Sequence, residues 1–295
     1  CYPLLSVCLL SLSIFAFGLT ILHDVLAEIG HQLPVIMLLV FMVSFIYFMQ
    51  PLLIFLFGKI LIKVKNKIIL SLLFSISAAF LSAFLDALTV TAVIISICVG
   101  FYGIYHRFAS GKQLQDQSHD HSEDLQVEDS HREDLDHFRG FLRNLLMPAA
   151  VGTALGGVMT LVGEPQNIVI ATKAGWDFIE FFWRMAPVSI PVLVVGLLTG
   201  VGLETTKKFG YGAAIPPKVF NILQDYDAYE TERMTSRDKA SLVVQGIVAI
   251  WLVIGLMYHL AAPGLIGLSV IILATAFTGV IEEHQIGKAF EEALP

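Results

Sequence analysis

Charge is what this sequence has least of. Lys, Arg, Asp and Glu make up 15% of its 295 residues, against about 25% in soluble domains. Apolar residues make up 56%. So little charge cannot cover a water-facing surface, which excludes an ordinary soluble domain and points to an all-α polytopic membrane protein. Cysteine is scarce too. Cys1, Cys8 and Cys98 all sit in apolar runs, so neither a disulfide framework nor a thiolate metal site follows. A net basic balance is missing: the formal charge is −7, and residues 106–140 hold nine acids against four bases. The remainder is nearly neutral, which leaves no footprint for nucleic acid. The first residue is not Met, and the first apolar run lacks a basic leader and a small-residue cleavage site, so it does not read as a signal peptide. The expectation is a fragment of a longer protein, missing both ends.

Apolar runs occupy residues 3–22, 34–57, 68–105, 141–171, 187–203, 240–260 and 264–281. They divide the chain into N-terminal transmembrane helices (1–57), a helical hairpin (68–105) and an acidic cytoplasmic loop (106–140). A discontinuous helix, an outer interfacial segment and a transmembrane helix follow (141–203), then a cytoplasmic loop (204–239) and further transmembrane helices (240–295). Fifteen of the 18 basic residues fall in 58–70, 106–143 and 204–239, which the positive-inside rule assigns to the cytoplasm. Segment 68–105 must then leave and return on one side, as two tight spans or as a re-entrant hairpin. Its 38 residues favour the hairpin. The loop bearing His106, His119, His121, His131 and His137 reads as a solvated linker. Trp176, Phe178, Phe181, Phe182 and Trp183 read as an aromatic anchor at the outer interface.

Residues 152–171 are apolar enough for a bilayer, yet they break at Gly163-Glu164-Pro165-Gln166-Asn167. Glycine commonly follows a helix end, and proline commonly opens the next helix because its missing N–H is not needed there. The spacing predicts one half-helix ending near Gly163 and another starting at Pro165, with Glu164 between them. Irregular backbone at membrane depth persists only where it is buried in protein or lines a cavity, and in transporters such breaks mark ion or substrate sites. The plainer alternative is a surface loop between two ordinary segments.

Asp86 is the one side chain charged at neutral pH inside 68–105, among Ser71, Ser75, Ser77, Ser82, Thr89, Thr91 and Ser96. An aspartate at a helix centre costs about 2.5–3.5 kcal/mol on insertion scales, so it normally faces a cavity or a partner. Hydroxyl and carbonyl oxygens suit hard cations. The same hydroxyls are also ordinary glue between membrane helices. No Gly or Pro marks the turn of the hairpin.

These stretches carry a resemblance. Residues 81–107 with FLDALTVTAV, residues 152–176 with GEPQN, and residues 264–295 resemble the NhaB-type bacterial sodium/proton antiporter, of the ion-transporter superfamily. The similarity runs through most of 35–295 and is weakest across 112–137. The resemblance implies an inverted-repeat fold in which each repeat carries a re-entrant hairpin and a discontinuous helix. This chain would supply the first repeat and the start of the second. Residues 82–91 would be the hairpin tip and residues 160–167 the broken helix, in a bacterial inner membrane.

The implied site has Asp86 as the coupling carboxylate, with Ser82, Thr89, Thr160 and Asn167 around a sodium ion. Thr91, Gly163, Glu164 and Gln166 complete it. Proton and sodium, or lithium, compete for Asp86, and Glu164 shares that role or pairs with another helix. No cofactor is called for and no enzymatic reaction is implied. Assembly is left open, a homodimer among the alternatives. The nearest rival is sodium-coupled dicarboxylate or oxyanion transport, against which stands the acidic character of both central charges. A remoter rival is an intramembrane hydrolase using Asp86 and Glu164 as a carboxylate pair.

Overall fold

The computed structural model describes residues 3–18, 20–85, 87–111, 127–258, 260–261 and 263–278. Among these residues the regular structure is entirely helical. The helices are α1 (Pro3–Ala16), α2 (Leu22–Lys63), α3 (Lys67–Ser82), α4 (Ala87–Ala109) and α5 (Asp129–Gly157). After them come α6 (Pro165–Ala174), α7 (Phe178–Thr206), α8 (Pro217–Arg233), α9 (Ser236–Met257) and α10 (Pro263–Thr278).

Local chemistry explains many of the boundaries. The Asn66 side chain accepts from the N–H groups of Ile68 and Ile69 at 3.0 and 3.3 Å, starting α3. The Asp177 carboxylate accepts from Glu180 N at 2.7 Å, starting α7. Thr235 and Asp238 form a reciprocal capping box at α9. Gly175, at φ 71°, ends α6 in the left-handed conformation that glycine adopts without a Cβ penalty.

Three of these helices, Thr89–Ala109, Phe178–Thr206 and Ser236–Met257, are long and apolar enough to cross a bilayer. The outward face of α7 presents Trp183, Val188, Val195 and Leu198, each more than 60% exposed. Such a face suits hydrocarbon and not water. The chain is a helical membrane protein.

Packing centres on α5, which lies along both α3 and α4. Small residues permit the approach to α3. A Cβ built on Gly152 would sit 2.4 Å from Ser75 O, and one on Gly156 would sit 2.0 Å from Ala79 O. Close backbone contact at paired small residues is the usual way membrane helices gain packing energy. Ser75 Oγ adds a bond to Pro148 O at 2.8 Å. On the other flank, Tyr105 of α4 meets Phe138 of α5 edge-on, with centroids 5.8 Å apart.

The three basic connections meet at one end of the molecule. Lys59 Nζ donates to both Asp227 carboxylate oxygens at 2.7 Å, joining α2 to α8. Lys218 lies 3.7 Å from Asp134, joining α8 to α5. Lys67 lies 3.6 Å from Glu204, whose side chain is fully buried. Gly212 N donates to the other Glu204 oxygen at 3.1 Å. Burial, with Glu204 adding to it, raises the Tyr211 phenol above its ordinary value.

Several sequence boundaries move. Residues 23–33, read as a connection, belong to the 42-residue helix α2, which at 1.5 Å per residue is about 63 Å long. Pro34 and Pro51 are both absorbed inside it. The acidic loop is narrower than 106–140, because α4 continues to Ala109 and α5 begins at Asp129. The loop 204–239 contains helix α8, held to the bundle by Lys59 and Lys218. The aromatic segment divides: Phe178 and Phe181 are buried in the core, while Trp183 is exposed. His119 and His121 lie outside the described residues.

Candidate functional site

The site is built where α5 stops. α5 ends at Gly157, α6 opens at Pro165, and residues 158–164 between them are irregular. The second half-helix therefore starts where proline predicts it. The first ends six residues earlier than Gly163, the end read from the sequence. The reason is local. Gly156 and Gly157 have the weakest helix propensity short of proline, and the backbone at Gly156 is already committed to its contact with α3.

The gap is held by side chains. Asn167 Nδ2, on the first turn of α6, donates to Gly157 O at 3.0 Å and to Thr160 O at 2.8 Å. Thr160 Oγ1 accepts from Gly163 N at 3.3 Å and donates to Ala83 O, in the α3–α4 turn. Gly163 packs against that turn so closely that a Cβ there would meet Gly157 O at 2.4 Å and Ser82 O at 2.7 Å. No side chain fits, which accounts for glycine at 163 by approach and not by φ. Thr160, Asn167 and Ser82 are all buried, at 4%, 5% and 0% exposure.

Glu164 takes the N-cap position of α6 with extended backbone. Its carboxylate accepts from Gln166 Nε2. A Cβ on Gly157 would lie 3.1 Å from both Glu164 Oε1 and Ser82 Oγ, so the carboxylate and that hydroxyl flank the same glycine. The carboxylate sits at the positive end of α6, where a helix dipole favours negative charge. Ser82 Oγ donates to Thr153 O at 2.7 Å, and the Thr153 and Thr91 hydroxyls are bonded to one another at 3.0 Å.

Of the residues read from the sequence, Ser82, Thr160, Gly163, Glu164 and Asn167 come together at the break. Thr91 joins them through Thr153. Gln166 is exposed and, among the described residues, donates to Glu164. Thr89 lies in the first turn of α4, half-buried. Asp86, between Leu85 and Ala87 in the sequence, lies outside the described residues. Two participants were missed by sequence reasoning: Thr153, which links Ser82 to Thr91, and Gly157, which receives Asn167. The Gly152-x-x-x-Gly156 spacing was the available signal that this stretch of α5 packs tightly.

The arrangement is chemically specific. An irregular backbone, two buried hydroxyls, a carboxamide and a carboxylate converge beside a helix turn. A hydroxyl that donates one bond still holds lone pairs, so Ser82 and Thr160 remain oxygen ligands after their bonds to carbonyls. Such an oxygen-rich set suits a hard cation.

The family model for the bacterial Na+/H+ antiporter B (NhaB) matches residues 1–295. The chain is 59% identical over 295 residues to the Na(+)/H(+) antiporter NhaB of Alcanivorax borkumensis, covering 100% of this chain and 56% of that protein. It is 61% identical over 295 residues to the protein of the same name from Hahella chejuensis, covering all of this chain and 59% of that one. For the Vibrio cholerae protein the identity is 58% over 295 residues, covering 56% of its length. The chain thus spans a little over half the length of the curated relatives it matches. With the broken helix and its oxygen-lined gap carried by those same residues, the chain belongs to the bacterial Na+/H+ antiporter B family.

Proposed function

We propose that this chain supplies part of a cation site through which sodium, or lithium, is exchanged for protons across the bacterial inner membrane. The observation that carries the reading is the break at residues 158–164, seated against the α3–α4 turn and lined by Ser82, Thr160, Asn167 and Glu164. Membership of an antiporter family supports the choice of ions. The basic end, where Lys59, Lys67 and Lys218 gather, faces the cytoplasm under the positive-inside rule.

The fold reading is of one repeat of an inverted pair, with α3 and α4 as its re-entrant hairpin and α5 and α6 as its discontinuous helix. α3 has 16 residues, about 24 Å, which falls short of a hydrocarbon core about 30 Å thick. The shortness of α3, turning beside a broken helix, supports a hairpin; α4 is itself long enough to cross, so length favours the hairpin through α3 only.

In this mechanism a sodium ion exchanges its water for the hydroxyls of Ser82 and Thr160, the amide oxygen of Asn167 and a carboxylate. Asp86, three residues after Ala83 in the sequence, supplies the charge. Glu164 flanks the same gap. Proton and sodium compete for one carboxylate, so the arrival of each displaces the other. Alternating access then moves one set of elements past the other.

The test uses the full-length protein in proteoliposomes. Asp86→Asn keeps size and removes the exchangeable proton, so sodium-driven proton flux should vanish; Asp86→Glu should retain part of it with altered ion affinity. Native flux and pH profile in Asp86→Asn would make Asp86 structural and move the coupling to Glu164 or elsewhere.

A further inference from the structure

We propose that the groove between α4 and α5 at the basic end binds one anionic phospholipid, its phosphate at the arginines and an acyl chain along the apolar floor. The groove is open along its outer side and offers about 390 Å³. Its rim carries Tyr102 of α4 with Arg139 and Arg143 of α5, and its floor carries Cys98, Val99 and Leu146.

The rim is partly preassembled. Arg139 Nε and Nη2 both donate to the Tyr102 hydroxyl, and Nη1 donates to Asp136 Oδ1 at 3.1 Å. These bonds fix the guanidinium beside the groove, and Asp136 offsets part of its charge. Arg143 lies one turn deeper, is exposed, and makes no ion pair among the described residues. An unpaired guanidinium at the edge of a membrane-spanning region is costly unless an anion or water meets it.

Polarity falls along the groove in the order of a lipid. Arg139 and Tyr102 come first from the basic end, then Arg143, then Leu146, Val99 and Cys98. A phosphodiester accepts two parallel bonds from a guanidinium, and basic pockets between helices on the cytoplasmic side suit anionic headgroups. Sodium is disfavoured by two guanidinium charges. Free phosphate would leave the apolar floor without an occupant.

The experiment is native mass spectrometry of the full-length protein in detergent, titrated with phosphatidylglycerol or phosphatidylcholine. One retained phosphatidylglycerol is expected, with phosphatidylcholine retained less. Arg143 makes no ion pair among the described residues, so Arg143→Ala removes only its charge from the rim and should weaken phosphatidylglycerol binding about fivefold. Val99→Trp fills the floor without changing charge and should abolish retention. Undiminished phosphatidylglycerol in Arg143→Ala, or equal retention of the two lipids, overturns the proposal. Displacement of the lipid by millimolar inorganic phosphate would also overturn it, assigning the rim to free phosphate.

Discussion

The side-chain amide of Asn167, on α6, donates at 3.0 Å to the carbonyl of Gly157, the last residue of α5. The same Nδ2 reaches Thr160 O at 2.8 Å, so one buried amide spans the helix break and ties off two carbonyls. Asn167→Ala leaves both carbonyls without that donor, at about 1–3 kcal/mol for each buried group left unsatisfied. The variant should melt several degrees lower and bind sodium more weakly, as read by thermal unfolding with and without sodium. Asn167→Asp cannot donate and adds charge, so it should not rescue. A variant with native melting and sodium affinity would mean that the backbone alone holds the gap.

How far the break was legible depends on which end is considered. Pro165 announced the start of α6, because a residue with fixed φ and no N–H has a place at the first turn. The end of α5 at Gly157 was not announced. Residues 158–162 are apolar but for Thr160 and read as more helix; the stop lies in Gly156 and Gly157, and Asn167, ten residues on, ties off the carbonyl that the stop leaves free. Sequence reasoning gave the break to Pro165; the bonds that hold it belong to Asn167 and Thr160. The hydroxyls of α3 were legible only as an ambiguity between ion ligands and glue. Ser75 binds a carbonyl of α5 well away from the break, whereas Ser82 binds one beside Glu164. Residues 23–33 misled because they interrupt two apolar runs, yet α2 continues through them without a break.

Gly156→Ala should separate α3 from α5. The new Cβ would lie 2.0 Å from Ala79 O, a backbone atom that cannot move alone. Overpacking of a tight interface costs about 1–3 kcal/mol. Gly246→Ala is the control: nothing lies within 4 Å of its Cβ, and alanine in a helix interior is favoured by roughly 0.5–1 kcal/mol. Opposite shifts in melting temperature are expected, and equal shifts would refute the contact.

Lys67 and Glu204 should behave asymmetrically as a pair. The Glu204 side chain is fully buried and that of Lys67 is 12% exposed. Lys67→Met strands a buried carboxylate, and breaking a buried pair from one side costs about 3–5 kcal/mol. Adding Glu204→Gln removes the stranded charge and keeps an oxygen for Gly212 N, so the double variant should recover most of the loss. Thermal melts of the two single variants and the double variant form the cycle. Additive losses would show that the two charges do not act as a pair.

The acidic segment sets up the last prediction, because its two ends meet. Glu128 N donates to Ala109 O at 3.0 Å, so the chain leaves α4 and returns to α5 at nearly the same point. Excision of residues 113–126 leaves residues 110–112, 127 and 128 to make the connection, within the two to eight residues that join packed helices. Shortening a loop lowers the entropy cost of closing it. The deletion should therefore leave melting temperature and sodium-driven proton flux near native. Extending the cut to residue 136 is a different operation. It removes the first two turns of α5, together with Val127 and Leu135, which are 4% and 1% exposed. Deleting a buried leucine alone costs about 2–5 kcal/mol, and Asp134 would no longer meet Lys218 on α8. The longer deletion should express poorly or melt far lower. If both deletions lost transport equally while keeping their melting temperatures, residues 113–126 would have to act on the ion path, and the solvated-linker reading would fail.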